Sequence, residues 1–267
     1  MSDTAVALNI DGPVARITLN RPAKHNAFDD QVIADLTAAF AQAGDSAARV
    51  IVLAASGRNF SAGADLGWMR RMADMNWEDN RADALRLAAL MRAIDQAGKP
   101  VIARVQGAAF GGALGLICAA DIAVASDSSR FCLSEARLGI LPAVIGPYVV
   151  RAMGARQAQR YMMTTEVMDA PRAMALGVVH EVVPEAALDT TVAQLVNALL
   201  QGAPQAQLGV RELVARTAQS PLDNTLTDWT AELIAGLRTA DEGREGLDAF
   251  LNKRAPAWQA DRYGETS

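Results

Sequence analysis

Apolar and polar positions alternate early in the chain, where Ala15, Ile17 and Leu19 interleave with Val14, Arg16 and Thr18. A period of two places successive side chains on opposite faces, which is the mark of a strand. Asn20-Arg21-Pro22 closes it, because proline punctuates extended segments. The period then changes. Behind Asp29, a capping residue type, Val32, Ile33, Leu36 and Phe40 recur at helical spacing. Val50 to Ala54 is a continuous apolar run that predicts a buried strand, and it leads into a loop over 56–67 rich in Gly, Ser and Ala. From Asn80 the helical period returns through Leu87, Met91 and Ile94 until Gly98-Lys99-Pro100 stops it. Val101 to Val105 predicts a strand, Gly107 to Gly112 a glycine-rich turn, the stretch to Ala120 a buried helix, and Asp121 to Ala125 another strand. Gly146 to Met153 and Ala155 to Met163 read as helices with Gly154 between them. Asp169 before Ala170-Pro171 starts another helix, and Gly177 stops it. Val178 to Val183 is the last predicted strand, with His180 inside it as a buried core or interface histidine, and from about Leu188 the pattern is helical only. Strands and helices in repeating order followed by helices alone predict an α/β body with an all-helical tail, here divided as 1–190 and 191–267.

The 267 residues are 51% hydrophobic, enough to bury a sizeable core. The net charge of −5 gives no basic footprint for nucleic acid and no polybasic membrane patch. No apolar run reaches the ~18 residues of a membrane span, and the first residues lack the basic start and apolar stretch of a signal peptide. A cytoplasmic location is therefore expected. Two cysteines, Cys118 and Cys132, lie in apolar surroundings and read as buried thiols. Two distant histidines, His25 and His180, give little material for a metal site or a histidine-based triad, so no metal is expected.

Two loops can carry chemistry: Phe60-Ser61-Ala62-Gly63-Ala64-Asp65-Leu66 and Gly107-Ala108-Ala109-Phe110-Gly111-Gly112. Each follows a strand, and the second opens into a helix. Small residues let a ligand approach the main chain, and a helix start presents free N–H groups. One such N–H from each loop could converge on an oxygen that gains negative charge, making an oxyanion hole. Tight strand–helix packing alone would also explain the glycines. A dinucleotide fingerprint does not, since no G-x-G-x-x-G follows either strand.

These residues, with Asn20-Arg21-Pro22 and Asn26-Ala27-Phe28 before them and Asp121-Ile122 after, resemble the enoyl-CoA hydratase/isomerase (crotonase) superfamily in order and spacing. The segment Phe131-Cys132-Leu133-Ser134-Glu135-Ala136-Arg137-Leu138-Gly139 is similar to the one that carries a catalytic glutamate in that family, and the likeness extends to Phe250-Leu251-Asn252-Lys253-Arg254. The resemblance implies a crotonase-like spiral of ββα units with a C-terminal helical trimerisation region, as a homotrimer or a hexamer of paired trimers. It implies an acyl-CoA thioester substrate, with coenzyme A part of that substrate and no separate cofactor. It places the two oxyanion amides at Ala64 and Gly112, the catalytic carboxylate at Glu135, and the walls of the adenine pocket at Lys24, Ala62, Asp65 and Leu66. Phe250 and Lys253 match positions that reach coenzyme A from a neighbouring subunit; Lys253 reads equally as a solvated lysine.

The chemistry fits those roles. Adding water to the β-carbon of an enoyl thioester puts negative charge on the thioester oxygen, which the hole stabilises, and a carboxylate must move a proton at the α-carbon. Glu135 is that candidate; the alternative is an exposed glutamate paired with Arg137. Two-glutamate hydratases of the family carry a second Glu where this chain has Gly115. Single-glutamate members include Δ3,Δ2-enoyl-CoA isomerases and sequences resembling hydratases of branched, carboxylated acyl-CoAs of the methylglutaconyl-CoA type. The pieces Ala109 to Leu116 and Leu141 to Pro147 are closest in appearance to the latter. A hydratase is expected, with an isomerase as the alternative and a non-catalytic acyl-CoA or RNA-binding relative as a third reading. Trp68, Met69 and Met72 read as core or as acyl-pocket lining, and Arg70 or Arg71 as a partner for a distal carboxylate or a solvated face.

Overall fold

The computed structural model describes residues 4–259. Strands β1 (Val6–Asp11) and β2 (Val14–Leu19) form an antiparallel hairpin, and helix α1 (Asp30–Asp45), capped by the Asp29 carboxylate on the Val32 amide, leads to β3 (Val50–Ala55). Helices α2 (Leu66–Asp74) and α3 (Trp77–Asp95) precede β4 (Val101–Val105), and then come β5 (Ala108–Phe110), α4 (Gly112–Ala119), β6 (Ile122–Ser126) and β7 (Arg130–Cys132). Helices α5 (Gly146–Met153) and α6 (Ala155–Thr164), strand β8 (Met168–Asp169), α7 (Ala170–Ala175) and β9 (Glu181–Val183) complete the body. Helices α8 (Leu188–Gln201), α9 (Pro204–Thr217), α10 (Asn224–Thr239) and α11 (Asp241–Leu251) form the tail.

A six-stranded sheet has the order β1-β2-β3-β4-β6-β9, parallel except for the β1 edge, and a three-stranded sheet has the order β5-β7-β8. The strand period decides which face each residue serves. Ile17, Ile51, Leu53, Ala103 and Ala125 face the main core with α1, α3 and α4, while Val14, Val50, Val52, Ile102 and Val124 face the other way. That second face is covered by Leu188, Val192, Val196 and Leu200 of α8. The first helix of the expected tail thus packs on the sheet, and α9, α10 and α11 follow it. His180 is exposed and lies just before β9 rather than in a buried strand, although its Nδ1 accepts the Ala123 amide at 3.0 Å. No helix among the described residues is long and apolar enough to cross a membrane.

Candidate active site

Four short segments, far apart in sequence, lie side by side. Phe28 bridges Ala64 in parallel: the Phe28 amide donates to the Gly63 carbonyl and the Asp65 amide to the Phe28 carbonyl, both at 2.9 Å. In this pattern the flanking residues make the bonds, so the N–H of Ala64 itself points away from Phe28. Ser61 bridges Ala109 on the other side, through Ser61 N–H to Ala108 O and Phe110 N–H to Ser61 O, both at 3.0 Å. β5 then pairs with β7 in the register Phe110–Cys132, and the Gly111 amide donates to Cys132 O at 2.8 Å. Gly112 is the first residue of α4, where helix geometry leaves an N–H with no carbonyl a turn earlier. Nothing among the described main-chain carbonyls accepts from Ala64 or Gly112.

Close packing of small residues fixes these amides. A Cβ on Gly63 would lie 2.8 Å from Phe110 O, and one on Gly112 would lie 2.7 Å from Cζ of Phe28. Gly111 has φ +55° and ψ −128°, a conformation essentially reserved for glycine. Buried Asn26 stitches the first loop: its Nδ2 donates to Ser56 O and Asn59 O, both at 2.8 Å, and the Ser61 hydroxyl donates to Asn26 O and accepts from Gly63 N–H. The family-like Asn26-Ala27-Phe28 is therefore a brace for the loop. That role was invisible in the sequence, because its partners are main-chain groups.

Glu135 opens a 3-10 turn, Glu135–Leu138, just after β7. Its carboxylate lies against the hole: a Cβ on Gly111 would sit 3.4 Å from Glu135 Oε1. Oε2 is buried with no hydrogen-bond partner among the described residues. Burial pushes the carboxyl above the usual carboxylate range, opposed by its own main-chain N–H. The alternative pairing with Arg137 does not occur, since the Arg137 Nε donates to the Thr165 hydroxyl at 2.6 Å and its Nη2 to the Thr165 carbonyl at 3.0 Å.

Ala64, Gly112 and Glu135 line one cleft of about 600 Å³. Trp68, Met69 and Met72 of α2, Leu87 of α3, and the stretch from Leu138 to Ile145 form its largely apolar walls. Trp68 is 4% exposed and its indole N–H has no partner among the described residues. Asn80 and Asp83, which carry no local signal in the sequence, are also in the wall; the Asp83 carboxylate pairs with Arg86 at 2.7 Å. Gly115, one turn beyond Gly112, faces Ile145 and Met91, not the cleft.

The expected adenine-pocket residues also gather, though not in the cleft. Lys24 Nζ lies 3.4 Å from Asp65 Oδ2, and the Ala62 amide donates to His25 O at 2.9 Å. Asp65 caps α2; burial opposes its ionisation, but the Gly67 and Trp68 amides and the Lys24 ammonium hold its carboxyl below the ordinary value. Leu66 is exposed beside it. Phe250, at the end of α11, is 80% exposed, and Lys253 follows it in a left-handed conformation. Neither lines the cleft of its own chain.

If Glu135 serves a hydration by taking a proton from water and returning it to carbon, it must start ionised in both directions. With its carboxyl raised by burial, kcat/KM is expected to fall as pH drops through an apparent pKa above the ordinary glutamate value of about 4.3. The acid limb should be the same for hydration and dehydration, because their ratio is fixed by a pH-independent equilibrium. Initial rates against pH in each direction check this; a flat profile down to pH 4.5 counts against Glu135 as the titrating group.

The sequence profile of the enoyl-CoA hydratase/isomerase family matches residues 9–261. A crystal structure of an enoyl-CoA hydratase from Shewanella pealeana superposes with a TM-score of 0.93 at 45% identity, covering 96% of each chain. The enoyl-CoA hydratase ACTT6 of Alternaria alternata is 35% identical over 250 residues, 91% of this chain and 80% of that protein. A trans-2-decenoyl-[acyl-carrier-protein] isomerase of Streptococcus mutans is 29% identical over 257 residues, 94% of this chain and 96% of that one. With its fold, its paired loops and the half-buried glutamate beside them, this chain belongs to the enoyl-CoA hydratase/isomerase family of the crotonase superfamily.

Proposed function

We propose that the protein hydrates a 2-enoyl-CoA thioester, using the Ala64 and Gly112 amides as an oxyanion hole and Glu135 as its single proton carrier. The observation that carries this reading is the meeting, in one apolar cleft, of two unengaged amides and a half-buried carboxylate whose Oε2 has no partner among the described residues. The thioester oxygen accepts from both N–H groups. Ionised Glu135 takes a proton from water while the water oxygen bonds the β-carbon. The π electrons of the carbon–carbon bond move to the α-carbon and thioester oxygen, as an enolate held by the two amides. The enolate then collapses, and its α-carbon takes the proton back from Glu135. The net change is gain of one water.

The cluster of Lys24, Ala62, Asp65 and Leu66 is assigned to the adenine end of coenzyme A. Phe250 and Lys253 are assigned to the coenzyme A of a neighbouring subunit in a trimer or a hexamer of paired trimers. Exposed Val210, Val214, Leu247 and Leu251 on α9 and α11 support an assembled form. A branched acyl chain finds apolar walls in the cleft. A distal carboxylate finds no Lys or Arg in the lining: Arg71 pairs with Asp30 at 2.5 Å, and Arg70 is exposed on α2.

A panel of straight, branched and carboxylated enoyl-CoAs tests the reading, by loss of conjugated-thioester absorbance and by mass gain from labelled water. Hydration is expected, with neutral branched chains turned over faster than carboxylated ones. The reverse ranking would mean that a cation outside this lining reaches the substrate. One observation favours a second reading: packing around Gly115 leaves no room for an acid where two-glutamate hydratases carry one, and a Δ3,Δ2-enoyl-CoA isomerase needs one base. Conversion of a 3-enoyl-CoA without label uptake would select it. Tight CoA-ester binding with no turnover across the panel would select a non-catalytic relative.

A further inference from the structure

The segment that presents Glu135 is fastened at both ends to one residue on another element. On its near side the Cys132 thiol donates to the Thr165 carbonyl at 3.3 Å. On its far side the Arg137 guanidinium donates to that same carbonyl at 3.0 Å and to the Thr165 hydroxyl at 2.6 Å. Thr165 is 4% exposed and ends α6 in a left-handed conformation, φ +54°. That conformation is disfavoured for any residue with a Cβ and is a marked outlier for a β-branched one. Its amide still closes α6 on Tyr161 O at 3.0 Å, and its hydroxyl donates to Thr164 O at 2.7 Å. A glycine would adopt this conformation without strain, but it would offer Arg137 no hydroxyl.

The 3-10 turn of Glu135 has weak support of its own. Its hydrogen bonds are long, with Arg137 N–H to Ser134 O at 3.2 Å and Ile140 N–H to Glu135 O at 3.3 Å. The carboxylate tip has no side-chain partner holding Oε2. The carboxylate's place beside Gly111 therefore depends on where the turn is anchored. We infer that Arg137 and Thr165 form a clamp that positions Glu135 against the oxyanion hole, acting on catalysis through Glu135 and not by touching substrate. The inference rests on the proposed role of Glu135.

The test compares Arg137→Lys, which loses the planar fork, and Thr165→Val, which keeps the shape and loses the hydroxyl, with Glu135→Gln as control. Catalytic geometry is sensitive to displacements near 1 Å, so each clamp variant should lose about 10- to 100-fold in kcat. KM should stay near the parent value. The acid limb of the pH profile should move towards the ordinary glutamate value as water reaches the loosened carboxylate. Thr165→Ser, which keeps the hydroxyl, should restore most of the turnover lost in the valine variant. Lower thermal stability with unchanged kcat and an unmoved acid limb, in either soluble variant, would reduce the clamp to a structural contact and overturn the inference. In that case an inactive E135Q leaves the role of Glu135 standing; full activity of E135Q overturns both.

Discussion

Glu135→Gln is expected to lower kcat for hydration by about 10²- to 10⁴-fold, the range general acid–base catalysis supplies, while leaving KM within a small factor. Glutamine matches the shape of the side chain, and the two amides proposed to bind the thioester oxygen are main-chain groups. What it cannot do is carry the proton between water and the α-carbon. The substitution should also stabilise the fold at neutral pH. Burial raises the Glu135 carboxyl above its unfolded value, so the folded state binds more protons than the unfolded one between those two values. Stability therefore falls as pH rises through that window, and ionised Glu135 remains a burden above it. A neutral amide removes that burden. The result to look for is an enzyme that melts at or above the parent temperature, binds CoA esters and does not turn over. A variant that keeps its rate would remove Glu135 from the mechanism, whatever its place in the cleft.

The parts of this site that could be read in the sequence are those whose signal is local. The two glycine-rich loops announce themselves by composition, but Ala64, Gly112 and Glu135 were named from the resemblance to the crotonase superfamily; without it Glu135 reads as an ordinary loop glutamate. Period-two alternation in β2 and the apolar run of β3 were equally plain, because each has at least one face fully buried. β1 was missed although Val6, Leu8 and Ile10 alternate with Ala7, Asn9 and Asp11: it is an edge strand whose residues are at most partly buried, so its pattern is short and weakly enforced. α2 was blurred for a different reason. Only Trp68 of its residues is buried, since the helix lines a cleft and does not face the core. The clamp at Thr165 and the filling of space beside Gly115 were out of reach. The first needs the end of α6 to meet Cys132 and Arg137, the second Met91 of α3 and Ile145 to meet α4, and only the tertiary fold determines these approaches.

Gly115→Glu, which restores the acid that two-glutamate hydratases carry here, is expected to destabilise the protein and yield no faster hydration. A Cβ at this position would lie 2.2 Å from Cγ2 and 2.7 Å from Cβ of Ile145, and 2.9 Å from Sδ of Met91. Real Cβ atoms do not approach that closely, so a neighbour must move. Met91 is fully buried and Ile145 is 2% exposed, and the close atoms of Ile145 sit at its stiff branch point, not at a flexible tip. Alanine alone should therefore cost about 1–3 kcal/mol by overpacking. Each kcal/mol lowers the melting temperature of a chain near this size by about 2–4 °C. Glutamate adds a charge among apolar side chains with no cation to meet it, a further penalty of several kcal/mol per ion. The expected order of melting temperatures is parent, then G115A, then G115E, with G115E largely insoluble. Truncating Ile145 to alanine in the G115E background should recover soluble protein, because it vacates the volume the new side chain needs. Packing, on this account, excludes an acid at position 115: the space its side chain would occupy is already filled by Ile145 and Met91, and the other carboxylate of the cleft wall, Asp83, is paired with Arg86. Soluble G115E that melts like the parent and hydrates faster would show that the cleft accepts a second acid without rearrangement, and the single-carboxylate mechanism would lose its structural basis.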